Sequence, residues 1–285
     1  KCLVCSITLT YHKNTESLNC HYCGSYLKPQ DACPECKSTK LEYIGTGIQK
    51  IEEGLKDLIP ELRMARMDRD TTTRKLSHYR MVKDMEAGKT DLLLGTQMVA
   101  KGHDLPDVTL AAVISADVAL NLPDFRSAER AFQLFTQLAG RAGRGDKKGE
   151  VLIQTYEPDN YIFNYVSRHD YIGFYKKEIE LRSELSYPPF SKLVRIVFGF
   201  KTKSTGEKVI KSLSARLKRK EAAGVTVLGP VIAPIEKIKN LYRWHLILKG
   251  KNSKSLRQKA LEISDMVKEI KDLKIDIDVD PINML

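Results

Sequence analysis

The stretch Gln137-Leu138-Ala139-Gly140-Arg141-Ala142-Gly143-Arg144 ends a helical run with two arginines set apart by glycine. Arginine presents a planar, permanently charged fork whose geometry matches phosphate oxygens. Phosphoryl transfer spreads negative charge over the γ-phosphate, and an arginine delivered from a neighbouring lobe neutralises it. A plainer reading is a helix C-terminus, with Gly140 stopping the helix and the arginines satisfying its last carbonyls. Two arginines at this glycine spacing are more specific than a cap requires. The flanks set the fold. Ser127 stands where it can cap the helix running to Gln137, and the apolar runs Val108–Ser115 and Val151–Thr155 on either side read as strands. Strand, helix and strand in that order make an α/β layer with crossover helices.

The run resembles the ATP-facing arginine motif of superfamily 2 helicases and translocases. Outward from it, short apolar segments alternate with helical patterns from Ile44 to Glu157. Leu41–Ile44 ends at Gly45-Thr46-Gly47, and Ile48, Ile51, Leu55 and Leu58 then recur at helical spacing. Met64–Met67 reads as a strand, Thr72–Ala87 as a helix and Asp91–Leu94 as a buried strand. The loop Gly95–Pro106 leaves the carboxyl end of that strand, where open α/β sheets place ligands. There Thr96 can offer its hydroxyl and N–H to a phosphate of a nucleic-acid track, while Gly102 and Asp104 fall nearer the nucleotide. An ordinary connecting loop is the alternative. Gly88-Lys89-Thr90 is no phosphate loop, because it ends a helix ahead of a strand and Lys83 stands where the first glycine is needed. No D-E-x-H or D-E-A-H box occurs, so the Mg²⁺-binding lobe is not in this sequence.

All six cysteines fall in the first 36 residues, as Cys2/Cys5, Cys20/Cys23 and Cys33/Cys36. A C-x-x-C turn presents two thiolates to one tetrahedral Zn²⁺, and four thiolates complete a structural site. Six therefore make one full site and half of another. Spacing alone leaves open whether Cys20/Cys23 joins Cys33/Cys36 in a compact ribbon or Cys2/Cys5 in a longer one. A disulfide framework suits the chain less well, because no secretory signal precedes the cysteines. His12 and His21 are left out of the ligand set.

The net charge of +11 is unevenly placed: between Lys201 and Ala260, 16 Lys and Arg stand against three acids, a balance of +13, leaving about −2 for the rest. Such a patch favours a polyanion, most simply nucleic-acid phosphate. A solvated lysine face is the alternative, since Tyr242 and Trp244 are the aromatics at hand for base stacking. No apolar run approaches the roughly 20 residues of a membrane span. After a helical connector, Tyr161–Leu185, the segment Tyr187-Pro188-Pro189-Phe190 breaks the helix. Strand Leu193–Phe200, helix Gly206–Lys220, strands Val225–Pro230 and Tyr242–Lys249, helix Ser255–Ile270 and strand Ile275–Val279 follow. That βαββαβ order suggests a ferredoxin-like domain, a fold that does not itself fix function. Phe190, Tyr242 and Trp244 are read as core packing, with Tyr242 or Trp244 as a base-stacking platform otherwise. Starting at Lys1-Cys2-Leu3 without methionine, the sequence reads as part of a longer protein.

Together these features resemble the PriA family of bacterial replication-restart helicases. Cysteine pairs ahead of a second helicase lobe, G-T-x-x-x-x-x-E-E-x-L (Gly45 to Leu55), K-G-x-D-x-P (Lys101–Pro106), the arginine run, Tyr187–Phe190 and D-x-D-P (Asp278–Pro281) occur in family order over essentially the whole chain. The resemblance implies an α/β protein. Its parts would be a zinc-binding segment (1–42), a RecA-like second helicase lobe (43–160), a helical connector (161–190) and a basic α+β ferredoxin-like DNA-binding domain (191–285). It implies the C-terminal part of an ATP-dependent 3′→5′ DNA helicase that recognises stalled or branched forks and restarts replication by primosome assembly. ATP and Mg²⁺ would belong to the full-length protein, and the part alone would be inactive. Arg141 and Arg144 would meet the γ-phosphate, and Gln137 would link nucleotide state to lobe position. Gly102 and Asp104 would line the nucleotide, and Thr96 would hold the DNA backbone. Nested family pairing gives Cys2, Cys5, Cys20 and Cys23 one Zn²⁺ and leaves Cys33 and Cys36 as half of a second site completed upstream. Implied partners are forks, D-loops and single-stranded DNA, single-stranded-DNA-binding protein and primosome proteins. The protein would be a monomer of the bacterial cytoplasm, associated with the nucleoid and not with membrane. Gly47 departs from the family, which often carries glutamate there. The competing reading is a non-enzymatic zinc-ribbon nucleic-acid-binding module.

Overall fold

The computed structural model describes residues 10–12, 16–19, 25–33, 36–40, 47–68, 77–96, 99, 105, 107–143, 148–217 and 224–284. In the cysteine-rich segment three short strands, β1 (Thr10–His12), β2 (Ser17–Asn19) and β3 (Tyr26–Leu27), pair antiparallel in that order, with Thr10 opposite Asn19 and Leu18 opposite Leu27. The chain divides into two units. One comprises Glu42–Leu122 and Arg126–Lys176, the other Lys1–Leu41, Pro123–Phe125 and Lys177–Leu285.

In the first unit, strand β4 (Met64–Met67) runs parallel to β5 (Leu92–Gly95), with helix Ser77–Glu86 between them in sequence. Met67, Val82 and Leu105 are buried there, with Leu93, Val99 and Val108 packed against them. A second parallel pair joins β6 (Leu110–Val113) to β7 (Glu150–Ile153). Helix Ser127–Ala139 buries Ala131, Phe132 and Phe135 at helical spacing against Ala116, Ile162, Val166 and Phe174. Phe132 stacks on Phe174 with centroids 4.1 Å apart. Parallel strands joined through helices are the expected α/β layer.

Three local expectations are corrected. Ser127 does not cap its helix: the N-cap is Arg126, without a side-chain hydrogen bond, and Ser127 is the first helical residue. β6 ends at Val113, and Ser115 at φ +56 turns the chain into an unanticipated short helix, Asp117–Leu120. The Asp117 carboxylate accepts from Thr155 Oγ1 at 2.9 Å and from the Tyr156 N–H at 3.1 Å, tying this corner to the end of β7. The connector is two helices, Tyr161–Ser167 and Tyr171–Glu184. His169 breaks it at φ +51, and Asp170 Oδ1 accepts from the Gly173 N–H at 2.8 Å to start the second. The expected strand at 41–44 and the first turn of the Thr72–Ala87 helix lie outside the described residues.

The C-terminal sheet is antiparallel, in the order β11-β8-β10-β9, from β8 (Lys192–Phe200), β9 (Val225–Ile238), β10 (Leu241–Gly250) and β11 (Lys274–Val279). Alternation decides its faces. Val194, Ile196, Phe198 and Phe200 of β8 and Trp244, Leu246 and Leu248 of β10 are buried with Ile210 and Leu213 of helix Lys203–Leu217 and Leu256 and Ile263 of helix Ser253–Val267. β9 continues eight residues past Pro230, where the sequence suggested a stop, because it is an edge strand and a proline there need not donate to a neighbour. Trp244 is 3% exposed and edge-on to Phe200, so it is core and no stacking platform. Tyr242 is half-buried with the Lys237 ammonium 4.8 Å from its ring centroid, and Phe190 is partly exposed.

Gly206 lies against that tryptophan: a Cβ there would overlap the Trp244 ring. A buried indole cannot swing away as a flexible side chain would. Gly206→Ala is therefore expected to destabilise the C-terminal unit by about 1–3 kcal/mol through overpacking. An unchanged urea midpoint would show that the helix yields at no cost.

Candidate nucleotide and nucleic-acid interface

The arginine run is held by backbone. The Gly140 N–H donates to Thr136 O and the Arg141 N–H to Leu138 O, both at 2.9 Å, so backbone groups already meet these carbonyls at the helix end. Gly143 has φ +75, a conformation suited to glycine, and its N–H donates to Val108 O at 2.9 Å, just ahead of β6. On the way into β7, Gly149 passes so close that a Cβ would overlap the backbone of Ala142 and Gly143. The turn is thus fixed at the amino ends of the β6–β7 pair. Arg141 is half-buried and Gln137 exposed; Arg144 lies outside the described residues.

Thr96 is exposed immediately after the carboxyl end of β5, its carbonyl accepting from the Val99 N–H at 3.0 Å. Gly95 has no room for a side chain, since a Cβ would overlap Met67 O and Val99. Gly102 and Asp104 lie outside the described residues, but Val108, which anchors the arginine turn, follows Asp104 by four positions. The Gly88-Lys89-Thr90 segment is a helix end. Gly88 has φ +66, and the Lys89 N–H donates to Asp84 O at 2.8 Å. That geometry closes a helix and cradles no phosphate.

One cluster escaped the sequence reading. Arg66 in β4 places Nη1 3.2 Å from Glu52 Oε2 and Nε 2.8 Å from Asp68 Oδ2, joining helix Ile48–Leu58 to the end of the strand. Hydrogen bonding from Lys56, with Arg66 nearby, holds the Glu52 carboxyl below its ordinary range. Glu52 is the first acid of the E-E-x-L match. The available signal was a lone arginine inside an apolar strand.

In the cysteine segment the Cys33 N–H donates to Ser38 O at 2.8 Å and the Lys37 N–H to Cys33 O at 2.9 Å, with Lys37 at φ +60. This closed turn carries Cys33, half-buried, and Cys36, exposed, and fits the half of a tetrathiolate site that one C-x-x-C pair supplies. Cys2, Cys5, Cys20 and Cys23 lie outside the described residues, and among the described residues no group of three or more possible metal ligands occurs.

Part of the basic excess sits on the two C-terminal helices, where Lys208, Lys211, Lys254 and Arg257 are exposed. Lys259, buried, is tied to Glu262 at 3.0 Å. On the opposite sheet face, burial first and then the Arg195 and Arg243 charges push the His245 pKa down to about 4. His245 is therefore neutral in the folded unit at pH 7. Because the unfolded chain takes up a proton near pH 6.5, the stability this neutrality carries is present above 6.5 and lost as pH falls toward 4. His245→Gln should flatten that part of the urea midpoint's pH profile. An identical slope in the variant would assign the dependence elsewhere.

No described helix is long and apolar enough to cross a membrane. Three family models match: the PriA DNA helicase Cys-rich region domain over residues 2–26, the Helicase conserved C-terminal domain over 37–146 and the Primosomal protein N C-terminal domain over 183–282. The chain is 42% identical over 288 residues to the Replication restart protein PriA of Bacillus subtilis, covering 100% of this chain and 36% of that protein. Against the proteins of the same name from Synechocystis sp. and Haemophilus influenzae the identities are 39% and 38%, over 100% and 99% of this chain and 34% and 39% of theirs. The chain thus spans about a third of the length of the curated relatives it matches.

Proposed function

This chain belongs to the PriA family of replication-restart proteins, and from that membership we propose that it is the C-terminal part of an ATP-dependent 3′→5′ DNA helicase that restarts replication at stalled or branched forks through primosome assembly. The observation that carries the reading is the arginine turn: Arg141 stands on a backbone fixed independently of its side chain, by Gly140, Gly143 and the close passage of Gly149. Such a turn suits an arginine that must meet charge developing on a γ-phosphate without reorganising. Arg141 and Arg144 take that role, and Gln137 relates nucleotide state to lobe position. Gly102 and Asp104 line the nucleotide, and Thr96, at the carboxyl end of β5, holds a DNA phosphate.

The domains we assign are 1–42, zinc-binding; 43–160, RecA-like; 161–190, connector; and 191–285, ferredoxin-like, which the βαββαβ order and the sheet order β11-β8-β10-β9 support. Cys2, Cys5, Cys20 and Cys23 would hold one Zn²⁺, and Cys33 and Cys36 half of a second site. The exposed cations of the C-terminal helices suit DNA phosphates. Single-stranded-DNA-binding protein and primosome proteins are the protein partners we assign, and a monomer near the bacterial nucleoid is the setting.

Because the sequence holds neither a P-loop nor a D-E-x-H box, the chain by itself should not hydrolyse ATP, whereas the full-length protein should do so with stimulation by single-stranded DNA. Turnover by the isolated chain that survives repurification would refute the assignment of lobes. A full-length protein that binds DNA and zinc without ATP turnover would favour the non-enzymatic module.

A further inference from the structure

The parallel pair β4–β5 is clamped by ions at both ends, in different surroundings. At the amino end Asp91 Oδ2 accepts from the Arg63 N–H at 3.0 Å and from its Nε at 2.8 Å. Both side chains are exposed there, so the pair gives up little hydration and adds little stability. At the carboxyl end Glu52, Arg66 and Asp68 are largely out of water, with side chains 22%, 14% and 12% exposed. Their mutual attraction does little more than offset the hydration lost, so stability alone is a poor reason for ions in that place. Arginine suits the position because its planar fork meets two acids at once, Glu52 through Nη1 and Asp68 through Nε.

Beside this cluster the Thr96 loop begins. The last pair of the sheet is Met67 opposite Gly95, so Asp68 and Thr96 are the next residues out on adjacent strands. The approach is close: a Cβ on Gly95 would overlap Met67 O, so the backbone entering Thr96 rests on the residue between Arg66 and Asp68. A second link runs through Val99, whose N–H donates to Thr96 O at 3.0 Å and whose side chain packs against the buried cluster that holds Met67. All of these residues belong to one unit, the one that begins at Glu42.

We propose that Arg66 is a positioning residue for DNA: held between Glu52 on helix Ile48–Leu58 and Asp68 past the strand end, it fixes the carboxyl end of β4 on which the Thr96 loop rests, and so places the Thr96 hydroxyl for a DNA phosphate. The inference rests on the role of Thr96 given above. With its guanidinium turned to two acids, Arg66 acts through Thr96 and not on the DNA itself.

The test is a double-mutant cycle in the full-length protein, with affinity for a single-stranded oligonucleotide measured well below each variant's unfolding temperature. Thr96→Ala should weaken binding by about tenfold, the loss of one hydrogen bond to a charged group. Arg66→Met should weaken it by about the same factor when Thr96 is present, and by no more than about twofold in the Thr96→Ala background, because residues that act as one unit do not add. A cluster that served the fold alone would lower the unfolding temperature and leave this coupling at zero. Unchanged affinity in Arg66→Met, or equal weakening in the two backgrounds, therefore overturns the proposal. If Arg66→Met does not fold, Glu52→Gln loosens the arginine with little change of shape, and unchanged affinity or additivity with Thr96→Ala there overturns it equally. Full DNA affinity in Thr96→Ala would defeat the underlying reading, whereas a weakened Thr96→Ala beside additive variants of the cluster defeats the positioning role alone.

Discussion

Full-length protein carrying Arg141→Ala is expected to hydrolyse ATP with kcat lowered about 10³-fold or more, at nearly unchanged DNA affinity. An arginine that meets charge only as it develops on the γ-phosphate stabilises the transition state and not bound substrate, so kcat and kcat/KM should fall together. A loss of that size corresponds to about 4 kcal/mol of transition-state stabilisation. The fold should tolerate the truncation, because the bonds Gly140 to Thr136, Arg141 to Leu138 and Gly143 to Val108 are all backbone. Arg141→Lys should rescue little, since a point charge does not reproduce a planar fork. The same loss is expected for Arg144→Ala. Turnover kinetics beside a DNA titration decide the matter: weakened DNA binding at full kcat would move the residue from the nucleotide to the track.

The elements read most closely from sequence are those whose pattern is local. Helix Ile48–Leu58 follows from apolar spacing, strands Met64–Met67, β8 and β10 from short, mainly apolar runs, and β11 from its Ile-Asp alternation. What escaped depends on residues far away in the chain. β9 runs past Pro230 because it lies at an edge, a property of strand order that no local pattern contains. Ser127 looks like a cap, yet the helix takes Arg126 as its N-cap and Ser127 as its first residue. Asp117 turns a strand end into a short helix through Thr155, 38 residues on. At the arginine run the motif was legible, including its need for glycine. Its anchor on Val108, and the reason Gly149 must be small, required the strands to be in place.

The purified chain is expected to hold about one zinc, and Cys20→Ser to release it entirely, because four thiolates close a structural site while two leave the metal open to water and to chelators. Metal content after dialysis against a mild chelator is the measurement. Loss of the ion should loosen the first forty or so residues and leave the parallel and antiparallel sheets on their own buried clusters. Cys33→Ser should cost this chain no tightly held metal, although in the full-length protein it should empty a second site. A compact ribbon of Cys20, Cys23, Cys33 and Cys36 predicts the reverse, with Cys33→Ser releasing the ion and Cys2→Ser keeping it. Since the two pairings share Cys20 and Cys23, only the contrast between Cys2→Ser and Cys33→Ser separates them. Retention in the Cys2→Ser variant would undo the nested assignment of Cys2 and Cys5.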